Sequence, residues 1–171
     1  MRLTFVKQLT FLTTLIMSGW VYAADPKVNG EINDWTAYVY MEGSNKVCYM
    51  VSKPKKEEGS YTKRGDVFAL ITHRPAEKSK NVFSFVAGYP FKQGSEAAVS
   101  VGSQSFKLFT QNETAWAADE ATDNKITNAI RSGSSLVVKG ISARDTATTD
   151  TFGLKGSSSA YAAISKECGI K

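Results

Sequence analysis

The chain has 171 residues, with 21 Lys and Arg against 16 Asp and Glu, a single histidine and two cysteines. One histidine and no spare thiol leave Ser/His/Asp and Cys/His catalysis little to work with. The net charge of +5 is mild, and its one local basic cluster (Lys53, Lys55, Lys56) runs straight into Glu57 and Glu58, which argues against nucleic-acid recognition.

The first residues set the compartment. Arg2 and Lys7 precede a short apolar run from Leu9 to Met17, and Val21-Tyr22-Ala23 offers a small-residue cleavage site, so residues 1–23 read as a secretory signal peptide. The apolar run is well short of the roughly 20 residues a membrane span needs, and none follows that is long enough. Cleavage removes two basic residues and no acids, leaving a net charge of +3 on a chain of the usual size for one domain. Cys48 and Cys168 both fall in that part. An even count in an oxidising compartment predicts a disulfide in preference to free thiols or a metal site, which needs about four ligands.

Residues 24–34 are polar and turn-rich and predict a flexible lead-in; residues 35–171 are read as a single domain. Trp35 to Met41 and Val47 to Val51 predict two strands around the turn Gly43-Ser44-Asn45, and Lys53 to Thr62 an exposed loop. Val67 to Thr72 is a continuous apolar run, expected to be a strand covered on both faces and ended by Pro75. Val82 to Tyr89 places Phe83, Phe85, Ala87 and Tyr89 on one face. Ala97, Val99 and Val101 alternate next, Gln104 to Thr110 runs back after Gly102-Ser103, and Thr114 to Ala118 is a short strand around Trp116. Thr122 is expected to cap a helix over Asp123 to Arg131, stopped at Gly133. After strands at Leu136 to Ile141 and Thr149 to Leu154, Ser158 or Ser159 caps a closing helix with Ala160, Tyr161, Ile164 and Cys168 on its buried stripe. Many short strands between turns predict a mostly β fold, a sandwich or barrel with two helices, one of them C-terminal.

Candidate chemistry is sparse. His73, in Thr72-His73-Arg74-Pro75, is expected to hold a strand end by hydrogen bonds, since no nucleophile elbow accompanies it. The carboxylate pairs Asp119/Glu120 and Asp145/Asp150 read as caps and solvated charge. Arg64-Gly65-Asp66 is a tripeptide of adhesive proteins, a weak pattern beside a strand, where it shapes a turn. Asn112-Glu113-Thr114 is a formal glycosylation acceptor that reads as a turn, and Ser142 to Asp150 as a hairpin connection held by side-chain to backbone bonds in preference to a binding loop. Arg64, Asp66, His73, Arg74 and Arg144 are the candidate binding residues. No enzyme activity, catalytic residue, cofactor or metal is expected.

Several stretches, in order, resemble the invasion-associated locus B family of proteobacterial envelope proteins: Arg64-Gly65-Asp66-Val67, Thr72-His73-Arg74-Pro75, Gly88-Tyr89, Phe106 to Thr110, Ala115-Trp116-Ala117, Val138-Lys139-Gly140 with Ser142 and Arg144, Thr149-Asp150-Thr151, and the closing helix with Cys168. The resemblance covers the chain from about Cys48 onward and more weakly around Trp35. It implies a periplasmic, secreted or outer-membrane-associated protein with an immunoglobulin-like antiparallel β-sandwich, linked in some pathogens to host-cell invasion and virulence. Two departures stand out: Asp145 occupies a position where the family tends to have Gly, and Phe152-Gly153 one where Tyr-Ser is usual. The expected function is that of a non-enzymatic envelope protein acting through contacts with an envelope or host protein. The alternative is a small-ligand binder holding a lipid or glycan on Trp35, Phe83, Tyr89 and Trp116.

Overall fold

The computed structural model describes residues 25–171. The signal peptide expected over residues 1–23 lies outside them. Eleven strands and two α-helices follow one another: β1 (Lys27–Ile32), β2 (Trp35–Glu42), β3 (Asn45–Ser52), β4 (Lys56–Gly59), β5 (Phe68–Arg74), β6 (Ser79–Val86), β7 (Glu96–Val101), β8 (Gln104–Gln111), β9 (Thr114–Trp116), α1 (Glu120–Ser132), β10 (Ser135–Ile141), β11 (Ala147–Gly153) and α2 (Ser157–Cys168). A single 3-10 turn, Pro75–Glu77, ends β5.

Turn chemistry sets much of the order. Four hairpins close through two-residue loops, and the first loop residue has positive φ each time: Asn33 (55°), Gly43 (64°), Gly102 (57°) and Asn112 (52°). Such turns match the twist of the flanking strands, and Gly and Asn are the residues that enter that region most easily. The formal glycosylation acceptor therefore carries a backbone task, because Asn112 makes the turn between β8 and β9.

The mostly β, antiparallel class with two helices, the last C-terminal, holds. Hydrogen bonding does not divide the strands into the two sheets of an immunoglobulin-like sandwich: one ladder runs β1-β2-β3-β5-β6-β9-β8-β7-β10-β11-β4. A twisted sheet of this width curls, and here it folds over its own core. Phe85 of β6 meets Phe152 of β11 edge-to-face, with centroids 6.2 Å apart. The ends of the strand order also approach each other, since Trp35 Nε1–H donates to the Gly153 carbonyl (3.1 Å) and Lys55 pairs with Asp34 (2.7 Å).

Period-two alternation puts Ala37, Met50, Ile71, Phe83, Phe85, Val99, Leu108 and Val138 inside. β5 departs from the expectation of burial on both faces. Ala69, Ile71 and His73 are buried, whereas Phe68, Leu70, Thr72 and Arg74 stand half-exposed, because no layer covers the outer face of the sheet there. Two segments expected to be irregular are edge strands. Within the lead-in, Lys27–Ile32 pairs with β2, and Lys56–Gly59 pairs with β11. Their polar, charged side chains hide them from a hydrophobicity scan and suit edges, which must resist pairing with other chains.

α1 starts three residues earlier than expected. Asp119 is the N-cap, accepting from the backbone N–H of Thr122 (2.7 Å). Ile126, Ala129 and Ile130 turn inward as the spacing requires, and Gly133 follows the last turn. α2 has Gly156 at its N-cap and so no side-chain cap; Ser157 donates instead to the Ile130 carbonyl of α1 (2.8 Å), tying the helices together. The helix lies across β1, β2, β3 and β5, and Cys168 at its end is bonded to Cys48 of β3, with Cα atoms 6.0 Å apart and 120 residues between them in sequence. The predicted disulfide is present.

Candidate functional site

Arg64 organises a cleft at one end of the sheet. Its guanidinium donates in a bidentate fork to Asp150 on β11 (2.7 and 2.8 Å), and its Nε–H donates to the Ala87 carbonyl (2.7 Å). The Arg64 side chain is 3% exposed and that of Asp150 0%. Tyr61 and Tyr89 flank the guanidinium at 5.4 and 4.9 Å from their ring centroids, and the Tyr89 hydroxyl shares a 2.6 Å hydrogen bond with Thr148. Burial works against the Arg64 charge, yet the bonds to Asp150 and Tyr61 outweigh it and hold its pKa above the ordinary value. Burial likewise pushes the Tyr89 hydroxyl up.

Two glycines make room for this arrangement. Gly88 sits at φ +68°, and a Cβ there would meet the Gly65 carbonyl oxygen at 2.4 Å. The Gly65 N–H in turn donates to the Gly88 carbonyl (2.8 Å), so the Arg64 segment is laid directly on the end of β6. On β10, a Cβ at Gly140 would meet the Tyr89 hydroxyl at 2.7 Å and the Phe91 ring at 2.8 Å.

The cleft itself has a volume of about 520 Å³. Its walls are the Ser60–Gly65 segment, Gly88-Tyr89-Pro90, the β10–β11 connection with Ser142, Arg144 and Thr146, and Thr148 at the start of β11. That connection is held by side-chain to backbone bonds as expected, but it is shorter, since β11 already begins at Ala147. The Ser142 hydroxyl oxygen accepts from the N–H groups of Arg144 and Thr146 (3.2 Å each), and the Ala143 N–H donates to the Pro90 carbonyl (2.7 Å). Asp145 holds φ +60° at its tip and pairs with Lys92. A left-handed conformation is what Gly supplies freely and Asp tolerates.

Of the five candidate binding residues, Arg64 and Arg144 meet at the cleft. Asp66 points elsewhere, 75% exposed and 3.7 Å from Lys53. With Arg64 sealed against Asp150, the Arg-Gly-Asp tripeptide does not present its cation to solvent. His73 and Arg74 lie at the far end of β5. Arg74 pairs with Glu42 and Glu77. His73 is buried beside α2; its Nδ1 accepts from the Asn81 N–H (3.1 Å) and its Nε2 contacts the Ser165 hydroxyl (3.2 Å). Burial lowers its pKa to about 4, so the ring is neutral near pH 7. The carboxylate pairs also separate into distinct tasks, Asp119 capping α1 and Asp150 sealing Arg64 while Asp145 stays at the surface. The aromatics proposed for a lipid or glycan do not converge: Trp35 and Phe83 are core, and Trp116 stacks on Phe109 on the outer face (5.7 Å). Tyr61 and Lys63 are cleft residues that sequence reasoning did not assemble, and Asp150 lies behind the wall as the partner of Arg64; Asp150, a lone acid inside a Thr-rich strand, was the one available signal.

These features define a class: an antiparallel β protein closed by a disulfide, with a preorganised cleft whose buried charges are matched internally. The chain belongs to the Invasion associated locus B (IalB) protein family, whose model matches residues 35–165. No curated protein and no solved structure matches it. Family and disulfide together indicate a protein that works outside the cytoplasm. Among the described residues no helix is long and apolar enough to cross a membrane.

Proposed function

We propose that this chain is a non-enzymatic protein of the cell envelope that acts by binding another protein at the Arg64–Arg144 cleft. The observation that carries the reading is the commitment of every buried charge at the cleft: Arg64 is satisfied by Asp150 and by the Ala87 carbonyl, which suits a fixed recognition surface better than a site that must change charge during a reaction.

The single histidine supports the same reading. His73 touches Ser165, which in outline is a nucleophile beside its base. Its Nδ1, however, accepts from the Asn81 backbone, so the proton sits on Nε2 and is donated to the serine. A ring in that tautomer cannot take the serine proton, and the pair is buried beneath α2. Their role is to fasten the helix.

Host-cell invasion or envelope maintenance is then a cellular consequence of the contact. Crosslinking of intact cells followed by purification tests the proposal. We expect a discrete protein complex with the native chain that is lost when Ala143→Trp fills the cleft mouth. Recovery of the monomer alone from both would remove it.

A further inference from the structure

The cleft has a chemical bias that suggests the kind of segment it takes. Three cationic residues line it, Lys63, Arg64 and Arg144, and among the described residues no Asp or Glu does. Arg64 is neutralised from within by Asp150 and makes part of the wall. Lys63 and Arg144 are exposed, and no carboxylate of the described residues lies within ion-pair distance of either. The nearest acids on the same segments point to other partners: Asp145 is taken by Lys92, Asp66 by Lys53, and Glu57 lies 3.7 Å from Arg64. Besides these two cations the walls offer the hydroxyls of Ser60, Thr62 and Thr146 and two tyrosine rings.

The two cations also differ in kind, in a way that suits a carboxylate. Arg144 rises from a connection whose backbone is fixed by Ser142, so its planar fork starts from an ordered base. Lys63 lines the cleft from a different segment, between β4 and β5, and brings a compact point charge on a long stem. β4 borders this region as the last strand of the sheet, but its short charged sequence, Lys56-Glu57-Glu58-Gly59, discourages a partner from simply adding a strand. Recognition then has to come from side chains at the cleft.

We infer that the cleft binds an acidic peptide segment of the partner, its carboxylate held between Lys63 and Arg144 and its neighbouring residues lying over the hydroxyl-lined walls. The inference rests on the protein-binding reading above and names the chemistry of the segment. A rim contact of this kind depends on ionic strength and on both cations together.

The test titrates the exported protein, isotope-labelled, with a short peptide alternating alanine and glutamate, and in parallel with its glutamine counterpart. The glutamate peptide is expected to shift the backbone resonances of residues 60–65 and 142–148, and the glutamine peptide to leave them in place. Lys63→Ala with Arg144→Ala, both at exposed positions, should weaken that binding about tenfold, while Lys139→Ala, exposed on β10 away from the cleft, should leave it unchanged. Equal binding of the two peptides, absence of binding, or indifference to the double substitution would overturn the inference. So would tight binding of an oligogalacturonate with none of the glutamate peptide, which would assign the cations to an acidic glycan. If the peptide fails while the crosslinked complex is still lost in Ala143→Trp, only this inference falls; if the complex ignores Ala143→Trp, the protein-binding reading falls with it.

Discussion

The Arg64–Asp150 pair shows how one residue contact can carry both architecture and site. Its two partners come from segments 86 residues apart, and both side chains are out of water. Removing one partner of such a pair leaves an uncompensated buried charge and typically costs about 3–5 kcal/mol. Arg64→Ala should therefore lower the unfolding free energy by that order in a denaturant titration. Arg64→Lys should recover only part of it, because an ammonium cannot reproduce the fork or the bond to Ala87. Little of this was legible beforehand. Arg64 attracted attention through an adhesion tripeptide, and its partner through an unrelated carboxylate pair. A contact between distant residues leaves no trace in local spacing.

Two buried ionisable groups work in opposite directions with pH. His73 has a folded pKa of about 4 against 6.5 unfolded, so the unfolded chain binds its proton first, and stability falls as pH drops from about 6.5 to 4. Asp123 on α1 is pushed up to about 6 by burial, opposed by its bond from the Phe83 N–H (2.8 Å). In this case the folded state takes the proton first, and stability rises as pH falls from about 6 to 4. The two effects should nearly offset below pH 6. Asp123→Asn keeps the acceptor and removes the charge, and should raise stability at pH 7 by up to about 3 kcal/mol with little effect near pH 4. It also exposes the His73 decline in full. Thermal melts of both proteins across this range check the signs.

At the scale of elements, the legible parts are those governed by a local rule. Period-two burial placed β2, β3, β6, β7 and β8, and Gly43 and Gly102 marked their turns. The missed parts followed tertiary needs. β1 and β4 are strands because a neighbour offers a ladder to pair with, and the start of α1 moved because Asp119 is free to cap it. Trp116 faces outward because its small neighbour, Ala115, takes the inward position. The Gly65–Gly88 crossing is the element junction most sensitive to change. Gly88→Ala puts a side chain against backbone at an unfavourable φ, and should cost about 2 kcal/mol or more in a denaturant melt. It should also displace Arg64 from Asp150.

Over the whole molecule, the disulfide decides how firmly the parts are held. It joins the end of α2 to β3 across nearly the full described chain, and closure of so long a loop contributes on the order of 4–5 kcal/mol in the chain-entropy model. The polar fastenings of α2 are each modest by comparison: Ser157 to the Ile130 carbonyl (2.8 Å), the His73–Ser165 contact, Tyr161 to Asn81 (2.9 Å) and Lys46 to Glu167 at the surface. Reduction should lower the melting temperature by many degrees and loosen α2 first, visible as faster amide exchange over residues 157–168. The bridge was legible from cysteine count and compartment alone. The single curled sheet was not, since strand order beyond the hairpins depends on which long-range edges meet.

The claim that the cleft is the working face is tested most directly by a photo-crosslinking residue placed at Ala143 in living cells, with Asn128 on the exposed side of α1 as the comparison. A partner adduct from Ala143 and none from Asn128 is predicted. Equal adducts from both, or an adduct from Asn128 alone, would contradict it.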